Sequence, residues 1–265
     1  MFRRRIGDDI FPCVANHSLN ASLSLARNFH LPKSWIIPWD QMPLPADPRI
    51  KSTPTEQGRL VAFYAGVLAE GKGVGDSLQT VRLLKDRGLR VDLRLAGPSA
   101  SGESQDWQGR AASLGIADQV VLLGKVSNAE VRAEMRAADV VLVPTRHEYA
   151  EGLPNTLSEG LASRTPVVVS DHPAFASRFR SGTDVMIFPA GSVEGLADTL
   201  EGLGRDPALY ARLSQNAAIA AERLFFGMEW CDLVRLFIAD PHNKTDWVRD
   251  HSLETLLRRT GHSPA

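Results

Sequence analysis

From residue 59 onward, short apolar runs alternate with longer stretches whose apolar positions recur every three or four residues. The runs are 60–65 (LVAFYA), 91–96 (VDLRLA), 120–123 (VVLL), 140–143 (VVLV), 167–169 (VVV) and 185–188 (VMIF). Between the first two, Leu78, Val81 and Leu84 keep helical spacing up to a stop signal at Gly88. Strands apolar on both faces, alternating with amphipathic helices, predict an α/β fold: a Rossmann-like parallel sheet with helices on both faces. After Gly191 the pattern turns wholly helical. It closes with an amphipathic stretch over 226–238 and a polar tail after Pro241 that reads as less ordered.

Residues 1–58 fit that sheet less well. A strand near 11–15, a helix near 19–28 and a strand near 34–38 look like the end of another α/β unit. The segment PWDQMPLPADPRIKSTPTEQG, rich in proline and polar residues, reads as a linker. The chain thus divides into a 1–58 remnant with linker, a sheet domain over 59–225, and a closing helix with tail over 226–265.

Composition narrows the classes. A hydrophobic fraction of 43% suits a soluble protein with a proper core, and a net charge of -1 gives no electrostatic reason to expect nucleic acid. Cys13 and Cys231 lie far apart without metal-ligand spacing, and no histidine pair has acidic company at ligand spacing. The expectations are a reducing, cytoplasmic compartment and no metal. No apolar run is long enough to cross a bilayer.

The first candidate chemistry is Gly66-Val67-Leu68-Ala69-Glu70-Gly71-Lys72-Gly73, a glycine-rich turn between a strand and a helix. Such a turn offers backbone N–H groups and a helix N-terminus to an anion. It nearly matches a P-loop, but Gly73 stands where the magnesium-binding Ser or Thr belongs. Asp139, the acid that might replace it, precedes its strand rather than ending it. A nucleoside triphosphatase remains one reading, and a plain tight turn with a solvated Lys72 another.

The second candidate is DVVLVPTRHEYAEGLPNTLSEGLASRTPVVVSD, 139–171. A strand ends at Val143, a loop carries Glu151, and a helix predicted to begin near Pro154 carries Glu159. Ligands of open α/β sheets bind at the carboxyl ends of strands, where this loop sits.

In EGLPNTLSE, followed by GLASRTPVVVSD, and in the loop 66–73 upstream, the chain resembles the retaining, GT-B-fold glycosyltransferases of "group 1". The resemblance runs from about 60 to 237 and implies that this is the donor-binding half of such a fold, with its N-terminal domain largely missing. It implies that Glu159 meets the ribose, Glu151 the donor sugar, and the amides of Asn155 and Thr156 the diphosphate of a nucleotide sugar. Gly66, Gly71, Gly73, Gly152 and Leu153 would line that site, and Lys72 would neutralise the departing diphosphate, with no metal required. Val67 replaces the family's arginine, and Arg146 is the candidate substitute. Pro173, Ala174 and Ser177 depart from the family's pattern beside the donor sugar.

The implied partners are a nucleotide sugar, an N-terminal-domain partner or a second copy of the chain, and a membrane surface reached through the acceptor. A binding subunit without turnover is the alternative of a different class.

Overall fold

The computed structural model describes residues 13–40, 45–99, 106–225 and 227–260. Residues 11 and 12 of the first expected strand, and Phe226 at the head of the closing helix, lie outside them. The chain forms two compact units, one over 44–222 and one combining 1–43 with 223–265.

The larger unit holds six parallel strands: β3 (Arg59–Ala65), β4 (Arg90–Ala96), β5 (Val120–Gly124), β6 (Val140–Val143), β7 (Val167–Ser170) and β8 (Met186–Phe188). All six predicted strands are present, with ends moved by one residue. β6 and β7 are buried at every position, as VVLV and VVVS require of strands covered on both faces. One face of the sheet packs through Leu60, Leu93, Leu95 and Leu142 against α2 (Val74–Asp86), α3 (Trp107–Ser113) and α6 (Val193–Arg205). On α5 (Asn155–Ala162), Gly160 lies so close to Val141 and Val167 that a Cβ would stand 3.2 Å from each. The helix α4 (Asn128–Ala137) starts with a capping box between Ser127 and Glu130, and α7 (Pro207–Leu224) follows α6.

The strand order is β5-β4-β3-β6-β7-β8. The chain winds outward from β3 to β5, then restarts at β6 on the other side of β3. The order therefore reverses between β3 and β6, which pair through Ala62↔Val140 and Phe63↔Val141.

Residues 45–58, expected as a linker, belong to the sheet unit. Asp139 accepts from the N–H and hydroxyl of Thr55 and from the Val61 N–H, each at 2.7–2.8 Å. The Lys51 ammonium donates to Ala138 O at 2.5 Å and Thr165 Oγ1 at 2.8 Å. Proline content reads as a linker, but these polar groups reach a buried carboxylate and carbonyls at the foot of β6, which a free segment would leave unpaired. Asp139 is thus a structural acceptor. Burial holds the Lys51 pKa down at about 8, against an ordinary 10.5, with Asp139 pulling partly the other way. The neutral form is favoured in the fold, so this contribution is full above 10.5 and lost as pH falls through 8. Thermal melts of Lys51→Met are expected to track wild type more closely near pH 7 than near pH 10, where wild type gains.

In the smaller unit, β1 (Val14–His17) and β2 (Ile36–Trp39) pair in parallel, with α1 (Leu19–Phe29) between them in sequence. Among the described residues it also holds the helices α8 (Trp230–Ala239), α9 (Trp247–Asp250) and α10 (Leu253–Thr260). The tail expected as less ordered is therefore helical at α9 and α10. Leu253 is fully buried with Leu19, Leu31 and Ile36, and Leu256 and Leu257 pack on the same cluster. Their i, i+3, i+4 spacing makes one apolar stripe within a polar composition.

Candidate active site

The reversal of strand order places the loops after β3 and β6 side by side at the carboxyl ends of the strands. The first is 66–73, and the second is 144–154.

The loop 66–73 differs from a phosphate-cradling P-loop in where its amides go. Lys72 N–H donates to Ala69 O at 3.2 Å, Gly73 N–H to Glu70 O at 2.8 Å and Val74 N–H to Ala69 O at 3.4 Å. These three donors are spent inside the turn. Gly73 has φ +74, and a Cβ there would stand 2.1 Å from Pro144 O, so glycine is needed both for the backbone and for the approach of the β6 loop. A Cβ on Gly71 would stand 2.8 Å from the Tyr149 ring, and one on Gly66 2.9 Å from the Tyr64 hydroxyl. Gly71 and Gly73 let the two loops pack, while Gly66 leaves room for the Tyr64 side chain of β3.

The two loops meet in an ion pair between Lys72 Nζ and Glu151 Oε2, whose side chains are 15% and 13% exposed. Thr145 Oγ1 donates to the same carboxylate oxygen at 3.3 Å. Lys72 Nζ also lies 4.7 Å from the centroid of the Tyr149 ring. Beneath the pair, the buried Tyr64 hydroxyl donates to Val67 O at 2.7 Å. Burial, then the Glu151 charge, push that hydroxyl's pKa up, so it stays a donor.

Arg146 binds Asp76 in the first turn of α2 through two bonds, Nε to Oδ2 at 2.7 Å and Nη2 to Oδ1 at 2.6 Å. Asp76 is 5% exposed. That bidentate geometry, above all, holds the guanidinium protonated. Arg146 N–H also donates to Gly71 O at 2.9 Å. The arginine picked out as a substitute cation thus has its charge matched by Asp76, and fastens one loop to the other.

Helix α5 begins at Asn155, with Pro154 as its N-cap at ψ 132 rather than its first helical residue. The Asn155 and Thr156 amides are therefore among the helix's orphan donors. Thr156 Oγ1 donates to Ala65 O at 2.8 Å, which fixes the start of α5 against the end of β3. Glu159 is half-buried, and burial raises its pKa despite the opposing charge of Arg132. Among the described residues its carboxylate has no hydrogen-bond partner. Leu153 is buried, while Gly152 and Asn155 are exposed.

The loop after β7, singled out in the sequence through Pro173, Ala174 and Ser177, joins the other two through contacts of Asp171 and His172 that the sequence reading did not find. His147 Nε2 lies 2.7 Å from Asp171 Oδ1, which also accepts from Ala190 N–H at 2.8 Å. The buried His172 binds the Tyr149 carbonyl at 3.1 Å through Nε2. These contacts join residues about twenty positions apart, and no local spacing announces them.

A parallel sheet whose strand order reverses between β3 and β6, with a cation and a carboxylate facing each other there, is a Rossmann-like domain. The family described as "Glycosyl transferases group 1" matches residues 47–219, more than half of the chain, and the chain belongs to that family. It is 32% identical over 136 residues to the phosphatidyl-myo-inositol mannosyltransferase of Mycobacterium leprae, covering 51% of this chain and 36% of that one. It is 25% identical over 210 residues to the D-inositol 3-phosphate glycosyltransferase of an Arthrobacter strain, covering 78% and 47%. The chain therefore spans less than half the length of these two relatives. Among solved structures, Anabaena Alr3699/HepE, in complex with UDP and glucose, matches with a TM-score of 0.67 at 15% identity, covering 91% of this chain and 65% of that one. At that identity the likeness concerns the fold. The sheet unit is accordingly the Rossmann-like half of a GT-B glycosyltransferase fold.

Proposed function

We propose that the sheet unit binds a nucleoside-diphosphate sugar and supplies the donor half of a sugar transfer that retains anomeric configuration. The observation that carries this reading is the convergence of Lys72, Glu151 and the orphan amides of α5 at the β3/β6 reversal. That arrangement offers an ammonium and a helix N-terminus to a diphosphate, and a carboxylate to sugar hydroxyls. Glu159, half-buried with acceptor sites to spare, suits the ribose hydroxyls. Lys72 stabilises the charge that grows on the departing diphosphate, so no metal is called upon. Arg146 acts on the site through Asp76 and Gly71. The UDP bound by the Anabaena relative supports a diphosphate ligand of this kind.

The complete transfer uses an acceptor-binding domain beyond this sheet unit. The setting is the cytoplasm, with a membrane surface as one source of acceptors. Among the described residues no helix is long and apolar enough to cross a membrane. A second reading, donor binding without turnover, draws on Val67, an exposed apolar residue where the family carries an arginine.

Calorimetric titration with UDP, GDP, ADP and Mg-ATP, the diphosphates with and without EDTA, tests the proposal, with nucleotide release from the sugar conjugates assayed beside it. One diphosphate is expected to bind whether or not EDTA is present. Glu159→Ala is expected to weaken it about tenfold or more, as befits lost hydrogen bonds to a charged group. Binding of Mg-ATP alone would restore the triphosphatase, and binding of none of them would end the donor-site reading. Binding with no nucleotide release from any sugar conjugate would favour the second reading.

A further inference from the structure

We propose that Tyr149 is a positioning residue for Lys72: its ring face fixes the ammonium that the donor-site reading above assigns to the diphosphate. A lysine ammonium sits on a flexible four-carbon stem and carries three donors, so a partner on one side does not fix its place. Glu151 stands on one side of it and the Tyr149 ring, at 4.7 Å, on another. The two partners act differently. A carboxylate takes up N–H donors, whereas a π face attracts the charge without engaging them in strong directional bonds. The ammonium is thus held in place with donors left over for phosphate oxygens.

The ring can do this because Gly71 packs against it and the Tyr149 backbone is held at both its N–H and its carbonyl. Gly71 lies against it so closely that a Cβ would stand 2.8 Å from Cδ2 and 3.3 Å from Cβ. Its own N–H donates to Arg146 O at 3.1 Å within the loop. Its carbonyl accepts from His172 Nε2 at 3.1 Å, and the tautomer follows from the other ring nitrogen: His172 Nδ1 accepts from Ala174 N–H at 3.2 Å, so Nε2 carries the hydrogen. The imidazole stacks on the buried Phe175 with centroids 5.2 Å apart. The loops after β3, β6 and β7 therefore meet at one residue, and that residue faces the ammonium. The Tyr149 hydroxyl has no part in these contacts, so phenylalanine should serve.

The test uses the whole chain labelled with 13C-lysine, whose six lysines give a small set of side-chain signals, with Lys72 assigned through Lys72→Arg. A methylene beside a ring face shifts upfield. The Lys72 ε-CH2 signal is expected upfield of the other five in wild type and Tyr149→Phe, and back among them in Tyr149→Leu. In parallel, UDP, GDP and ADP are titrated against their nucleosides. Tyr149→Leu is expected to lower the preference for the diphosphate about threefold or more, with nucleoside affinity unchanged and Tyr149→Phe at the wild-type ratio. Gly71→Ala, which pushes the ring aside while keeping it, should resemble Tyr149→Leu. An unshifted Lys72 signal in wild type, or Tyr149→Phe behaving like Tyr149→Leu, overturns the proposal. If the signal is shifted as expected but no diphosphate binds wild type, the donor-site reading fails while the placement of Lys72 by Tyr149 stands.

Discussion

Replacing Lys72 by alanine is expected to slow nucleotide release from the cognate nucleotide sugar by about a hundred- to a thousandfold, the usual cost of removing a group aimed at charge that develops in the transition state. The size of the effect follows from the lack of a substitute. Position 67 is a valine, Arg146 is matched by Asp76, and Arg110 pairs with Glu70. On the proposed reading, ground-state binding should suffer less than turnover, because the α5 amides would still be offered to the diphosphate. Stability should fall as well, since Glu151 is 13% exposed and, among the described residues, keeps Thr145 alone as a neighbouring donor. Rates should therefore be read well below the variant's melting temperature. A rate within a few fold of wild type would remove Lys72 from the chemistry and return it to the role of a structural ion-pair partner.

The largest expected stability effect is at Gly73. Gly73→Ala must hold a side chain at φ +74 and place its Cβ 2.1 Å from Pro144 O. The first demand costs about 1–2 kcal/mol. The second displaces the backbone that leads out of β6, for about 1–3 kcal/mol more. Gly88→Ala separates the two, since Gly88 has φ +82 and nothing within 4 Å of the added carbon. Urea melts should show the Gly73 variant losing clearly more than the Gly88 variant, with an unchanged slope. Diphosphate binding should be lost in the Gly73 variant alone. Equal losses in the two variants would mean that the loops do not depend on that close approach.

What could be read from the sequence depended on how local the cause was. β6 and β7 were legible because VVLV and VVV leave no polar face, and α2 because Leu78, Val81 and Leu84 mark one side of a helix. Lys72 and Glu151 were each singled out through a motif, but their ion pair, which spans 79 residues, was announced by neither. The linker was misread because proline frequency is local, whereas the partner that ties Thr55 down, Asp139, lies 84 residues away. The helices of the tail were missed because Leu253, Leu256 and Leu257 are a thin stripe whose burial depends on α1 and β2. Tyr149 stood in plain view in the loop 144–154. An aromatic in a polar loop reads as surface until Gly71 and His172 are brought against it, and only the closed sheet does that.

The pairing of β3 with β6 also sets when the site comes into being. β3, β4 and β5 are consecutive strands, so their pairing closes short loops, whereas Ala62↔Val140 closes a much longer one. The loop bearing Lys72 and the loop bearing Glu151 face each other only once that late closure is made. A ligand held by both loops then stabilises completed sheets alone, and drains by mass action the population of molecules whose second half has come away. The diphosphate would act as a chaperone for the last seam of the domain as well as the ligand of its site.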